Sequence, residues 1–153
     1  MASSSNFTVT ERLMSLKAAI LGGLSAGTIS LLLLVLHRQL IVGPAIASPE
    51  LLVNMATLTL LVNGAIAALS GAVFSITYRY AVRQDTNVQL KMGVVFAFTL
   101  VRGLALVDVG SAVAQNFWPF FSACGESFLI FGLTAIILTF ATQHQWITPF
   151  GQE

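Results

Sequence analysis

Three ionisable residues interrupt apolar sequence in the second half of the chain: Arg102, Asp108 and Glu126. A charge inside a hydrocarbon core is costly and needs a partner or a wet cavity. If the two runs that carry them are helices, Asp108 lies about 9 Å further along its helix than Arg102, and Glu126 returns to a depth between the two. Six residues turn a helix through about 600°, so Arg102 and Asp108 point about 120° apart and share no face. Arg102 can instead reach the neighbouring helix, where Glu126 is the expected partner. The group then has three readings: a buried ion pair that fixes helix packing, a contact for a partner protein or pigment, or a proton or ion pathway.

Other chemistry is sparse. Asn54 and Asn63 lie in the second apolar run, with Ser70 and Gly71 further on. Amides that hydrogen-bond across membrane helices contribute about 1 kcal/mol each, which reads as packing. A weak carbonyl ligand to a pigment magnesium is the sharper reading. His37 and His144 fall at opposite ends of apolar runs, which argues against a bis-histidine haem in the core. Cys124 is the single cysteine, so no internal disulfide can form; it reads as a small buried hydrophobe. Ser122 and Ser127 flank Glu126, but no histidine base is near at that depth. No His, Cys or carboxylate spacing suits a metal. No catalytic site, metal or resident cofactor is expected.

The elements that position these residues follow from composition. Only 8% of the 153 residues are charged, against roughly 25% in ordinary soluble proteins. Hydrophobic residues make up 56%, and mean hydropathy is +0.87. A soluble domain of this size needs far more polar surface. The net charge of +1, with no basic face, excludes nucleic acid as a partner. Four apolar runs, 18–36, 51–76, 92–114 and 120–141, are each long enough to cross about 30 Å of hydrocarbon as a helix. They do not alternate in polarity as barrel strands do. The expected fold is all-α, an integral membrane four-helix bundle, with a polar N-terminal tail over 1–17 and a short C-terminal tail from 143.

Helix signals sit at the boundaries. Ser48-Pro49-Glu50 reads as an N-cap, a first-turn proline and an acid beside the positive end of the dipole. Thr86-Asn87-Val88-Gln89 has capping-box spacing. Gln115-Asn116 leaves room only for a tight hairpin between the third and fourth helices. Phe117, Trp118, Phe120 and Phe121 read as an interfacial belt, with Tyr78, Tyr80 and Trp146 at the opposite interface. Ala45-Ile46-Ala47 resembles a signal-peptide cleavage site, but the apolar run before it is too long and Arg38 intervenes, so the first span is expected to be retained. Arg12, Lys17, Arg79, Arg83 and Lys91 fall on one side of this topology and only Arg38 on the other, which predicts both termini on the cytoplasmic or stromal side. Small residues recur at packing spacings: Gly23 and Gly27, Ala67 and Gly71, and Gly103 and Gly110.

The segment Tyr78-Arg79-Tyr80-Ala81-Val82-Arg83-Gln84-Asp85, with Gln89-Leu90-Lys91-Met92-Gly93 and Leu100-Val101-Arg102-Gly103-Leu104, resembles an uncharacterised family of small multi-span thylakoid membrane proteins shared by cyanobacteria and chloroplasts. The resemblance covers roughly residues 50–141. It implies thylakoid residence and an assembly or auxiliary role with a photosynthetic complex such as photosystem II. Arg79, Arg83 and Lys91 would then form a cytoplasmic contact surface; as plain positive-inside anchors they would instead lie beside anionic lipid. The leading expectation is a non-catalytic protein that packs laterally against other membrane subunits. A small proton-coupled transporter titrating Glu126 or Asp108 is the first alternative. Small multidrug carriers place their acid in the first helix, which has none here. The second alternative is a pigment-binding accessory protein holding chlorophyll or carotenoid, although the light-harvesting Glu-x-x-(His/Asn)-x-Arg pattern is absent.

Overall fold

The computed structural model describes residues 8–42, 57–106 and 117–151, and only the backbone of 38–42 and 57. Four helices account for nearly all of them: α1 (Val9–Val42), α2 (Thr57–Val82), α3 (Val88–Ala105) and α4 (Trp118–Gln143). There is no strand among the described residues. All four helices are long and apolar enough to span a membrane, so the chain is a multi-pass integral membrane protein. Large apolar side chains point outward along every helix, among them Leu24, Leu69, Val101 and Ile136. Lipid, being as apolar as leucine, accepts such a surface.

Helix α1 is 34 residues, about 51 Å, and outruns the hydrocarbon core. Residues 9–17, expected as a tail, are its first turns. The reason lies in Thr8-x-x-Glu11, where the Thr8 hydroxyl accepts from the Glu11 amide at 3.2 Å and Glu11 supplies first-turn acid. Helix α2 continues past Ile76 to Val82, and α3 starts at Val88, four residues before Met92. Its N-cap is Asn87 rather than Thr86: the Asn87 side chain accepts from the Gln89 amide at 2.9 Å, and Asp85 Oδ1 accepts from the Asn87 amide at 2.8 Å. The cap signals around Ser48 and the hairpin at Gln115-Asn116 lie outside the described residues.

The bundle is two antiparallel pairs. α1 packs along most of α2, α3 along α4, and the pairs meet mainly through α1 and α4. Small residues set the first contact: Gly71 faces Ala26 and Gly22, Gly27 faces Ala68, and Gly64 faces Leu31. A side chain on Gly71 would strike Ala26 and the backbone of Gly22, so glycine here is what lets the backbones approach. Phe74, fully buried, joins the pairs. Its ring centroid lies 5.1 Å from Phe131, 5.3 Å from Phe98 and 5.5 Å from Tyr78, and such aromatic pairs each add about 0.5–1.5 kcal/mol beyond area burial. Tyr78 therefore belongs to the core and not to an interfacial belt; its hydroxyl meets Thr139 Oγ1 at 3.3 Å.

Candidate functional site

The end of the bundle carrying the α2–α3 turn holds most of the polar chemistry. Arg79, in the last turn of α2, is buried. Its Nε donates to the Thr148 carbonyl at 2.9 Å, and its NH1 donates to Ser15 Oγ at 2.8 Å and more weakly to the Glu11 carbonyl at 3.4 Å. Ser15 Oγ also donates to the Glu11 carbonyl at 2.9 Å. That uses its one proton, so the 2.8 Å contact with Tyr80 is donated by the tyrosine hydroxyl. One guanidinium thus ties α1, α2 and the C-terminal segment together.

The C-terminal segment reaches Arg79 because α4 ends in a Schellman motif. Gln145 adopts φ 57°, its amide donates to the Thr142 carbonyl at 3.1 Å, and the Trp146 amide donates to the Ala141 carbonyl at 2.9 Å. The reversal buries Ile147 and brings Phe150 over the basic residues. Its ring centre lies 4.8 Å from that of Tyr80, 5.8 Å from the Arg79 guanidinium and 5.2 Å from that of Arg83.

Arg79, Arg83 and Lys91, expected as one basic surface, come together around a cavity of about 340 Å³. Asp85 is the acid on its wall, and Thr139, Thr142 and Gln143 of α4 complete the far side. Arg83 follows the last residue of α2 with φ 47°. That left-handed conformation costs a non-glycine residue about 1–2 kcal/mol. A second cavity of about 580 Å³ runs between α3 and α4, from Val88–Val95 on one side to Phe128–Gln143 on the other, and among the described residues Lys91 is the one charged member of its wall.

The intramembrane polar residues form a separate group. Gly103 lies against Cys124, which sets the antiparallel register of α3 and α4 and puts Thr99 level with Ser127. Arg102 is 8% exposed; its Nε, Thr99 Oγ1 and Ser127 Oγ are buried without a hydrogen-bond partner. No direct ion pair joins Arg102 to Glu126, which is half-buried on α4. Asp108, Gly110 and Asn54 lie outside the described residues; Asn63 is half-buried on α2.

Glycines divide by use. Gly71 and Gly103 are filled by neighbours within the bundle, whereas a Cβ on Gly93, Gly125 or Gly132 would meet nothing within 4 Å. His37 and His144 are both exposed, and no cluster of three His, Cys, Asp or Glu residues occurs among the described residues. Sequence reasoning missed the Arg79 clamp, because its acceptors are a serine on α1 and a carbonyl beyond α4. The one hint was an arginine one turn inside α2, between two tyrosines. The chain matches no protein-family model, no curated protein and no solved structure.

Proposed function

We propose that this protein is a non-catalytic membrane protein that binds laterally to subunits of a larger membrane complex. It serves as an assembly or auxiliary factor of a photosynthetic complex, such as photosystem II, in the thylakoid membrane. The resemblance of residues 78–104 supports the location and the complex; both termini then face the stroma or cytoplasm. One observation carries lateral binding: Glu126, a half-buried carboxyl on a spanning helix with no ion-pair partner among the described residues, stands beside Gly125, which is exposed with open space where a Cβ would be. A charged group at that depth calls for a partner, and an open glycine lets a helix from another subunit come close enough to supply one. Affinity purification in mild detergent tests it. Gly125→Leu should release co-purifying subunits while the protein still accumulates, and Glu126→Gln should retain most of them, because the amide still accepts a hydrogen bond.

A second reading, a proton-coupled transporter, is favoured by the buried unpartnered atoms of Thr99, Arg102 and Ser127 beside that acid. It predicts the reverse pattern. Glu126→Gln would abolish proton flux in liposomes, and the wild-type protein would migrate alone.

A further inference from the structure

We propose that the basic cavity and the apolar groove beside it form one site for an anionic phospholipid. The phosphate lies among Arg79, Arg83 and Lys91, and one acyl chain lies between α3 and α4. The two cavities adjoin, since Tyr78, Lys91, Thr139 and Gln143 line both. Their polarity changes as an amphiphile's does. Among the described residues the first presents three bases against one acid, Asp85, while the second carries no charge beyond Lys91 at the junction. Arg79 is a fixed member of the headgroup end, because Thr148 and Ser15 hold its guanidinium. Arg83 is kept at that end despite a left-handed backbone.

The groove's length and polarity suit an acyl chain. Its α4 wall runs over 128–143, about 22 Å, which covers one leaflet of about 15 Å, and its α3 wall runs over 88–95. Apart from Lys91 at the mouth, the described residues that line it carry no charge, which matches a hydrocarbon chain hanging below an anionic headgroup. Gly132 forms part of its wall, with open space where a Cβ would be. A free phosphate would use only the basic end.

Native mass spectrometry of the full chain, titrated with phosphatidylglycerol or phosphatidylcholine of identical acyl chains, tests the site. One phosphatidylglycerol should bind per chain in preference to phosphatidylcholine. Each basic residue near a headgroup contributes about fivefold, so Arg83→Ala and Lys91→Ala should each lower the preference by about that factor, and the double variant by about 25-fold. Arg83 is exposed and Lys91 half-buried, neither in the core, so thermal unfolding of each variant should stay close to that of the wild type. Gly132→Leu should weaken binding of both lipids with the charges intact. The proposal is overturned if the double variant keeps its preference, if Gly132→Leu binds as the wild type does, or if glycerol phosphate binds as tightly as phosphatidylglycerol. The last result would identify a phosphate site with no chain in the groove.

Discussion

Replacing Arg79 by lysine should loosen one end of the bundle without disturbing its middle. The guanidinium donates in two directions, through Nε to the Thr148 carbonyl at 2.9 Å and through NH1 to Ser15 Oγ at 2.8 Å. An ammonium on a flexible stem cannot reproduce that planar fork, and it keeps at most one of the two contacts. A hydrogen bond to a charged group contributes about 1.5–3 kcal/mol, so Arg79→Lys should cost about that much. Arg79→Met removes both bonds, leaving the Thr148 carbonyl without that donor while Ser15 keeps the Tyr80 hydroxyl. Two bonds to a charged group sum to about 3–6 kcal/mol, and relief of the guanidinium's desolvation offsets part of that. Equilibrium unfolding in mixed detergent micelles reads the total. Hydrogen exchange reads the location: amides of 146–148 should exchange faster in Arg79→Lys, while those of 64–74, packed on α1, stay protected. Ser15→Ala leaves NH1 only its weaker contact with the Glu11 carbonyl and should be non-additive with Arg79→Lys by at least about 0.5 kcal/mol. If Arg79→Lys unfolds as the wild type does and 146–148 stay protected, the clamp does not hold the C-terminal segment.

Gly71→Leu should prevent accumulation, because its side chain would overlap Ala26 and the Gly22 backbone; Gly93→Leu, with open space around the Cβ, should accumulate normally on an immunoblot. Glu126→Leu should lower stability more than Arg102→Leu, because it strands a guanidinium that is 8% exposed, whereas the reverse change strands a carboxyl that is less deeply buried; the double variant should recover, and equal single effects would contradict the asymmetry. Cysteines introduced near Ser4, Ser48, Asp85 and Gln152 should react with an impermeant reagent from the outside or lumen only near Ser48, and labelling near Asp85 from that side would overturn the proposed orientation.

Composition was enough to read four spanning helices, because the cost of an unsatisfied backbone in lipid leaves few alternatives to a helix. Helix ends were harder to read. Residues 9–17 looked like a tail by hydropathy, yet Thr8 and Glu11 cap them and Arg79 engages Ser15, so local capping and one distant contact outweigh their polarity. Position along the chain gathered Arg79, Arg83 and Lys91 at one end, but not their roles. Arg79 is buried by Ser15 and Thr148, which lie more than sixty residues away in opposite directions. Depth counting suggested that Arg102 pairs with Glu126, but it carries no information on helix rotation, and no direct bridge joins the two; Glu126 is half-buried on α4.

The two helix pairs are built for different work. Between α1 and α2 the glycines are filled by neighbours, and the Arg79 clamp locks one end. Without a hydrophobic force between helices in lipid, such close packing and hydrogen bonding is what holds a membrane bundle together. Helices α3 and α4 depart from that pattern. Among the described residues, their close approach at Gly103 and Cys124 is accompanied by three buried polar atoms with no partner, a half-buried carboxyl and three glycines with open space where a Cβ would be. The open glycines and the carboxyl leave free energy to be gained from something beyond the chain. The groove is apolar and its mouth is basic, which suits a lipid. Glu126 and Gly125 stand nearer the opposite end of α4, where a helix has room. A rigid α1–α2 support with a receptive α3–α4 face is therefore the division of labour that this distribution of packing and polarity favours.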